Sequence, residues 1–157
     1  MEKTISYETK ALEFIGFLAS PEIQPQEKNP TVLIAHTWLG CDAFAKEKAR
    51  EIARLGWVGG ALDLYGNGQV ASEPEEASQL MLPLFENRKE LLIRLLAGLQ
   101  AIQKEPSVDA SKIAIIGFCF GGLAAIELFR SGASIAGAVS FHGLLGNTLG
   151  NTQAKTL

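Results

Sequence analysis

The sequence predicts an α/β fold in which a mainly parallel sheet carries helices on both faces, and three observations lead there. Residues 31–36, 57–62, 113–117 and 136–141 form short apolar runs, a pattern that requires a strand covered on both sides. Stretches with helical spacing separate these runs and can supply the cover. The residues of unusual chemistry fall just after the runs, on the edge where open α/β sheets bind ligands.

Taken in order, residues 5–7 and 12–19 read as two short strands of a hairpin, and the Pro, Gln and Glu-rich stretch 20–30 as a surface turn. The third strand is 31–36. Phe44, Ala45, Ala49, Ile52, Ala53 and Leu55 then recur at helical spacing behind Asp42, a natural N-cap. The strand at 57–62 ends in the turn-forming cluster Asp63-Leu-Tyr-Gly-Asn-Gly68. A long helical pattern covers 75–103; Pro83 is expected to start a new helix or kink it, because proline has no N–H to donate, and Pro106 closes it. The strand at 113–117, a helix at 120–130 and a strand at 136–141 precede a tail rich in Gly, Asn and Thr.

At 157 residues with 47% apolar content, the chain is expected to form one domain, residues 1–157, with a core of its own. A net charge of −3, both signs interspersed, offers no field for phosphate backbones or anionic lipid, so nucleic acid and membrane are not expected partners. The charged N-terminus does not resemble a signal peptide, and no apolar run reaches about 18 residues, which argues for a cytoplasmic protein. Two cysteines without a Cys/His cluster call for neither a disulfide scaffold nor a metal. No cofactor is implied either.

Gly117-Phe-Cys-Phe-Gly121 joins an apolar strand to an amphipathic helix. A nucleophile at such a junction must turn sharply, and glycines two positions away on each side remove the colliding β-carbons. Cys119 is therefore the candidate nucleophile; the alternative is a buried cysteine packing as a small hydrophobe. A dinucleotide loop fits less well, since the glycines do not spell G-x-G-x-x-G. The positive end of the following helix favours negative charge beside the thiol, and its first amide, Phe120 N–H, can bind an oxyanion. In an α/β-hydrolase arrangement the second donor comes from the loop after strand 31–36, and Trp38 N–H is the candidate.

Four stretches together, residues 31–40, ALDLYGNG at 61–68, GFCFGG at 117–122 and FHGLL at 141–145, resemble the dienelactone hydrolase family of the α/β-hydrolase fold in order and spacing. That resemblance implies hydrolysis of a small-molecule ester or lactone. Cys119 attacks the carbonyl, Trp38 and Phe120 amides stabilise the oxyanion, and water releases the acyl group. Where many members carry a glutamate beside the resting thiol, this sequence has Thr37.

The hydrolase order of nucleophile, acid and base needs an Asp and then a His after Cys119. No Asp follows, and Glu127, about two turns along the helix, points away from the strand edge. His142 is the one later histidine, read either as a substitute base or as a structural histidine bonded to backbone. The resemblance places the base in a loop beyond two further strands. The chain is thus expected to be the first two thirds of a hydrolase domain, with an open edge after strand 136–141 through which it self-associates as a homo-oligomer. The alternative to an active enzyme is a hydrolase-fold chain that acts only by association. Of the remaining candidates, His36 reads as a core histidine and Cys41 as a small packing residue, with a redox pair to Cys119 as the other option. Asp63 and Tyr65 read as turn and packing residues or as substrate contacts. Arg88, Lys89 and Arg94 read as a solvated helix face, leaving no arginine for a substrate carboxylate.

Overall fold

The computed structural model describes residues 1–22 and 28–143; the expected tail and part of the 20–30 turn lie outside the described residues. In chain order the elements are β1 (Glu2–Glu8), β2 (Glu13–Ala19), β3 (Asn29–Ala35), α1 (Ala43–Arg54), β4 (Val58–Leu62), α2 (Pro74–Glu86), α3 (Arg88–Gln103), β5 (Val108–Phe118), α4 (Phe120–Arg130) and β6 (Gly137–Phe141). The strands form one sheet in the order β1-β2-β4-β3-β5-β6. β3 runs parallel to β4 and β5, and β6 parallel to β5. The N-terminal hairpin joins antiparallel, with β2 against β4. Side chains of an extended strand alternate between faces, and the two cores follow that alternation. Ile34 and Ala61 pack with Ala45 and Ala49 of α1 on one face. Leu33, Leu62, Ile113 and Ile115 pack with α3 and α4 on the other.

Of the boundaries that differ from the sequence reading, three have a local cause. β3 begins at Asn29, because Pro30 falls at a register shift between Asn29 and Thr31 where the ladder has no place for its missing N–H. β5 begins at Val108, which pairs with Asn29, so the strand starts five residues before its apolar part. Pro83 neither starts nor ends a helix. It sits inside α2 on the exposed side, and the break falls at Asn87, whose side chain accepts from Glu90 N–H to cap α3. Asp42 caps α1 as expected, accepting from Ala45 N–H at 3.0 Å.

A fourth correction concerns charge. Lys89 is exposed, but Arg88 is not on a solvated face. Its side chain is 3% exposed, and its guanidinium meets the carboxylate of Glu127, a side chain 1% exposed, at 3.1 Å, joining α3 to α4. Arg88 Nε also donates to Phe85 O at 2.6 Å. Arg94 is half-buried, with Nε on Glu90 and Nη1 on the carbonyls of Leu64 and Tyr65. At the far edge β6 has one neighbour among the described residues, and Val139 and Phe141 are 49% and 44% exposed. Among the described residues no helix is long and apolar enough to cross a membrane.

Candidate active site

β5 runs into α4 through a single residue in the left-handed region: Cys119 has φ 57° and ψ −117°. For a non-glycine residue this costs about 1–3 kcal/mol and persists only where its surroundings over-determine it. They do so here. Cys119 N–H donates to Phe141 O at 3.0 Å, its carbonyl accepts from Gly122 N–H at 3.0 Å, and the rings of Phe118 and Phe141 stack at 4.7 Å. The flanking glycines are required by contact. A β-carbon at Gly117 would lie 1.9 Å from Gly121 O, and one at Gly121 would lie 2.0 Å from Ala35 O and 2.4 Å from His36 O. The first turn of α4 therefore presses on the end of β3, which brings the bend beside the loop that leaves β3. Cys119 itself is partly exposed.

That loop, residues 36–41, is held from several sides. His36 is fully buried. Its Nε2 accepts from Leu64 N–H at 3.2 Å, so the proton sits on Nδ1, which donates to Thr37 O at 2.5 Å. Burial pulls the His36 pKa down and keeps the ring neutral. The histidine is a core residue, as read from the sequence. Thr37, where the resemblance would have a glutamate, turns its hydroxyl back to accept from Leu39 N–H at 3.2 Å. Gly40 N–H donates to Thr37 O and Ala71 N–H to Leu39 O. Trp38 N–H donates to no described residue, and neither does Phe120 N–H at the first position of α4. Both amides are free to meet an external acceptor.

The loop after β4 completes this edge. Asp63 is fully buried, and its carboxylate accepts from the N–H groups of Ile15, Tyr65, Gly66 and Gly68 at 2.9–3.0 Å. All of its acceptor capacity goes to shaping the turn. Tyr65 lies between the other two loops: its ring stacks on Phe120 at 6.1 Å and meets His36 edge-on at 4.7 Å, while its hydroxyl donates to Trp38 O at 2.7 Å. The phenol's pKa is raised, first by burial and then by the negative charge that Cys119 would carry, which places the thiol within electrostatic reach.

Cys41 sits in the core as a free thiol. It packs among Ala19, Ile34, Ala45, Ala49 and Ala61, and burial pushes its pKa up to about 12. One native thiol should therefore react with a disulfide reagent at pH 8, and two should react after unfolding in guanidinium. Two fast native equivalents would contradict this. His142 follows β6 with φ 46°, is exposed, and its ring bonds to no described residue. The backbone bond expected for a structural histidine is thus not made among the described residues. Leu144 and Leu145 of the FHGLL stretch lie outside them.

A mixed, mostly parallel sheet, with a cysteine on a strained strand-to-helix turn and an adjoining loop after β3, defines a protein of the α/β-hydrolase fold. Residues 14–157 match the model of the dienelactone hydrolase family, and the chain belongs to that family. Among solved structures it is similar to one described as m3DLH, 37% identical with a TM-score of 0.90 over 96% of this chain and 62% of that one. It is equally similar in shape to the dienelactone hydrolase-like promiscuous phosphotriesterase P91 from metagenomic libraries, at 34% identity and TM-score 0.90, covering 98% and 65% of the two chains. A curated relative from Aquifex aeolicus, "Putative carboxymethylenebutenolidase", is 29% identical over 149 residues, covering 92% of this chain and 62% of that protein. The chain thus spans a little under two thirds of the length of these relatives.

Proposed function

We propose that the chain carries the nucleophile and oxyanion cradle of a carboxylic ester or lactone hydrolase. The observation that supports this most is Cys119, a partly exposed thiol on a left-handed bend, with two uncommitted amides, Trp38 N–H and Phe120 N–H, on the loops around it. In this reading the sulfur attacks the ester carbonyl, the C–S bond forms, and the oxygen becomes an oxyanion held by those amides. The intermediate collapses by breaking the C–O bond. The alcohol leaves with the proton that the thiol gave up, and water later cleaves the thioester to return the thiol and a carboxylic acid. Small neutral esters fit best, since Arg88 and Arg94 are engaged inside the fold.

Proton transfer is where this chain offers least. Glu127 is buried against Arg88, and His142, exposed at the end of the strand beside β5, is the imidazole available as a substitute base. Acylation is therefore expected to outrun deacylation. Mixed with p-nitrophenyl acetate, the protein should release one equivalent of nitrophenol in a burst and then stall, with an acetyl group on the Cys119 peptide by mass spectrometry; Cys119→Ala should give neither. Sustained turnover above that variant would make the chain a complete hydrolase. Absence of a burst would reject the nucleophile and leave the association reading, which the exposed Val139 and Phe141 on the β6 edge favour.

A further inference from the structure

The geometry points to Tyr65 as a positioning residue for the Trp38 amide, acting through the hydrogen bond from its hydroxyl to Trp38 O. This rests on the reading of Cys119 as a nucleophile with Trp38 N–H as an oxyanion donor. That N–H lies in the peptide plane it shares with Thr37 O, and this plane is joined to the next, which carries Trp38 O, only through the two soft dihedrals at the Trp38 α-carbon. The plane before it is held at Thr37 O by His36 Nδ1 and Gly40 N–H. The plane after it is held at Trp38 O by Tyr65 at 2.7 Å. With both planes fixed, φ and ψ of Trp38 are fixed and its N–H has one direction.

Tyr65 is able to do this because it is itself fully determined. Its own N–H is bound by Asp63 Oδ1 at 3.0 Å, and its carbonyl receives Arg94 Nη1 at 3.0 Å. Its ring is set between His36 and Phe120, so the same side chain that anchors one donor also packs on the residue that carries the other. Burial and the neighbouring thiol keep the phenol protonated, so the hydroxyl remains a donor throughout. A substrate carbonyl arriving at Cys119 then meets two amides already aimed, with no loop left to order.

The test separates oxyanion chemistry from thiol reactivity. Tyr65→Phe keeps the ring and removes the hydroxyl. Acetylation of Cys119 by p-nitrophenyl acetate passes through an oxyanion; alkylation by iodoacetamide does not. The burst rate with the ester should fall about tenfold or more, while the alkylation rate stays within about twofold. Equal losses in both rates, or no loss in either, would overturn the proposal. Tyr65→Leu provides the same comparison if the Phe variant does not fold, and failure of both to fold would assign Tyr65 to the core and overturn the positioning role. Cys119→Ala run alongside keeps the two readings apart. If it is still acetylated in the burst phase, the nucleophile assignment has failed, whatever Tyr65 does.

Discussion

Gly121→Ala is expected to abolish the ester burst, slowing acylation of Cys119 by roughly 100-fold, and to destabilise the fold by about 3 kcal/mol or more. The added β-carbon would stand 2.0 Å from Ala35 O and 2.4 Å from His36 O, both backbone atoms at the end of a central strand. No rotamer change relieves such a contact. α4 must withdraw from β3, taking the Cys119 bend and Phe120 N–H away from the loop that carries Trp38. A misplacement of about 1 Å is enough for a loss of that order. Urea unfolding and the p-nitrophenyl acetate burst would be measured on the same variant. Near-native stability together with a native burst would show that α4 does not press on β3 as described. The neighbouring Gly117 meets a tighter limit, 1.9 Å from Gly121 O, and should behave alike.

Glu127→Ala is expected to be comparably damaging by a different route, lowering the unfolding free energy by about 3–5 kcal/mol. Arg88 and Glu127 are both buried, and their contact is one-sided: Glu127 Oε1 accepts from Arg88 Nη1, whereas Oε2 has no hydrogen-bond partner among the described residues. Removing the carboxylate leaves a guanidinium in the contact between α3 and α4 with only Phe85 O at 2.6 Å and the Phe85 ring at 4.7 Å to answer it. Removing both charges should cost far less than removing one. Arg88→Met with Glu127→Leu is expected to lie within about 2 kcal/mol of the parent. Chemical denaturation of the single and double variants decides this, and equal losses in the two would show that packing, not the stranded charge, sets the cost.

The sheet and the bend at Cys119 were legible because their signals are local. Residues 31–36 and 113–117 are apolar on consecutive positions, and Gly117 and Gly121 bracket Cys119 at the spacing a sharp bend needs. Asp42 could be named as a cap for the same reason, since its partner is three residues away. What escaped depends on pairs distant in sequence. Arg88 and Glu127 lie 39 positions apart, and a charged residue at the start of an amphipathic helix reads as solvated until the opposing helix is known. Tyr65 and Trp38 are 27 apart and meet only because β4 lies directly beside β3, which puts the loops after those two strands side by side. Asp63 stood between two readings until its four backbone donors were visible. Pro83 left two outcomes open because the rule for proline predicts a lost N–H and not where the chain breaks. Asn87, able to cap the next helix, was the stronger signal.

The amide of Cys119 is tied to the carbonyl of Phe141, the last residue of β6 and, among the described residues, of the outermost strand. Posture of the sulfur is thereby governed from the rim of the sheet. A displacement of Phe141 would break or stretch the 3.0 Å bond that holds the Cys119 amide. The backbone of the thiol-bearing residue therefore hangs on the final rung of that strand.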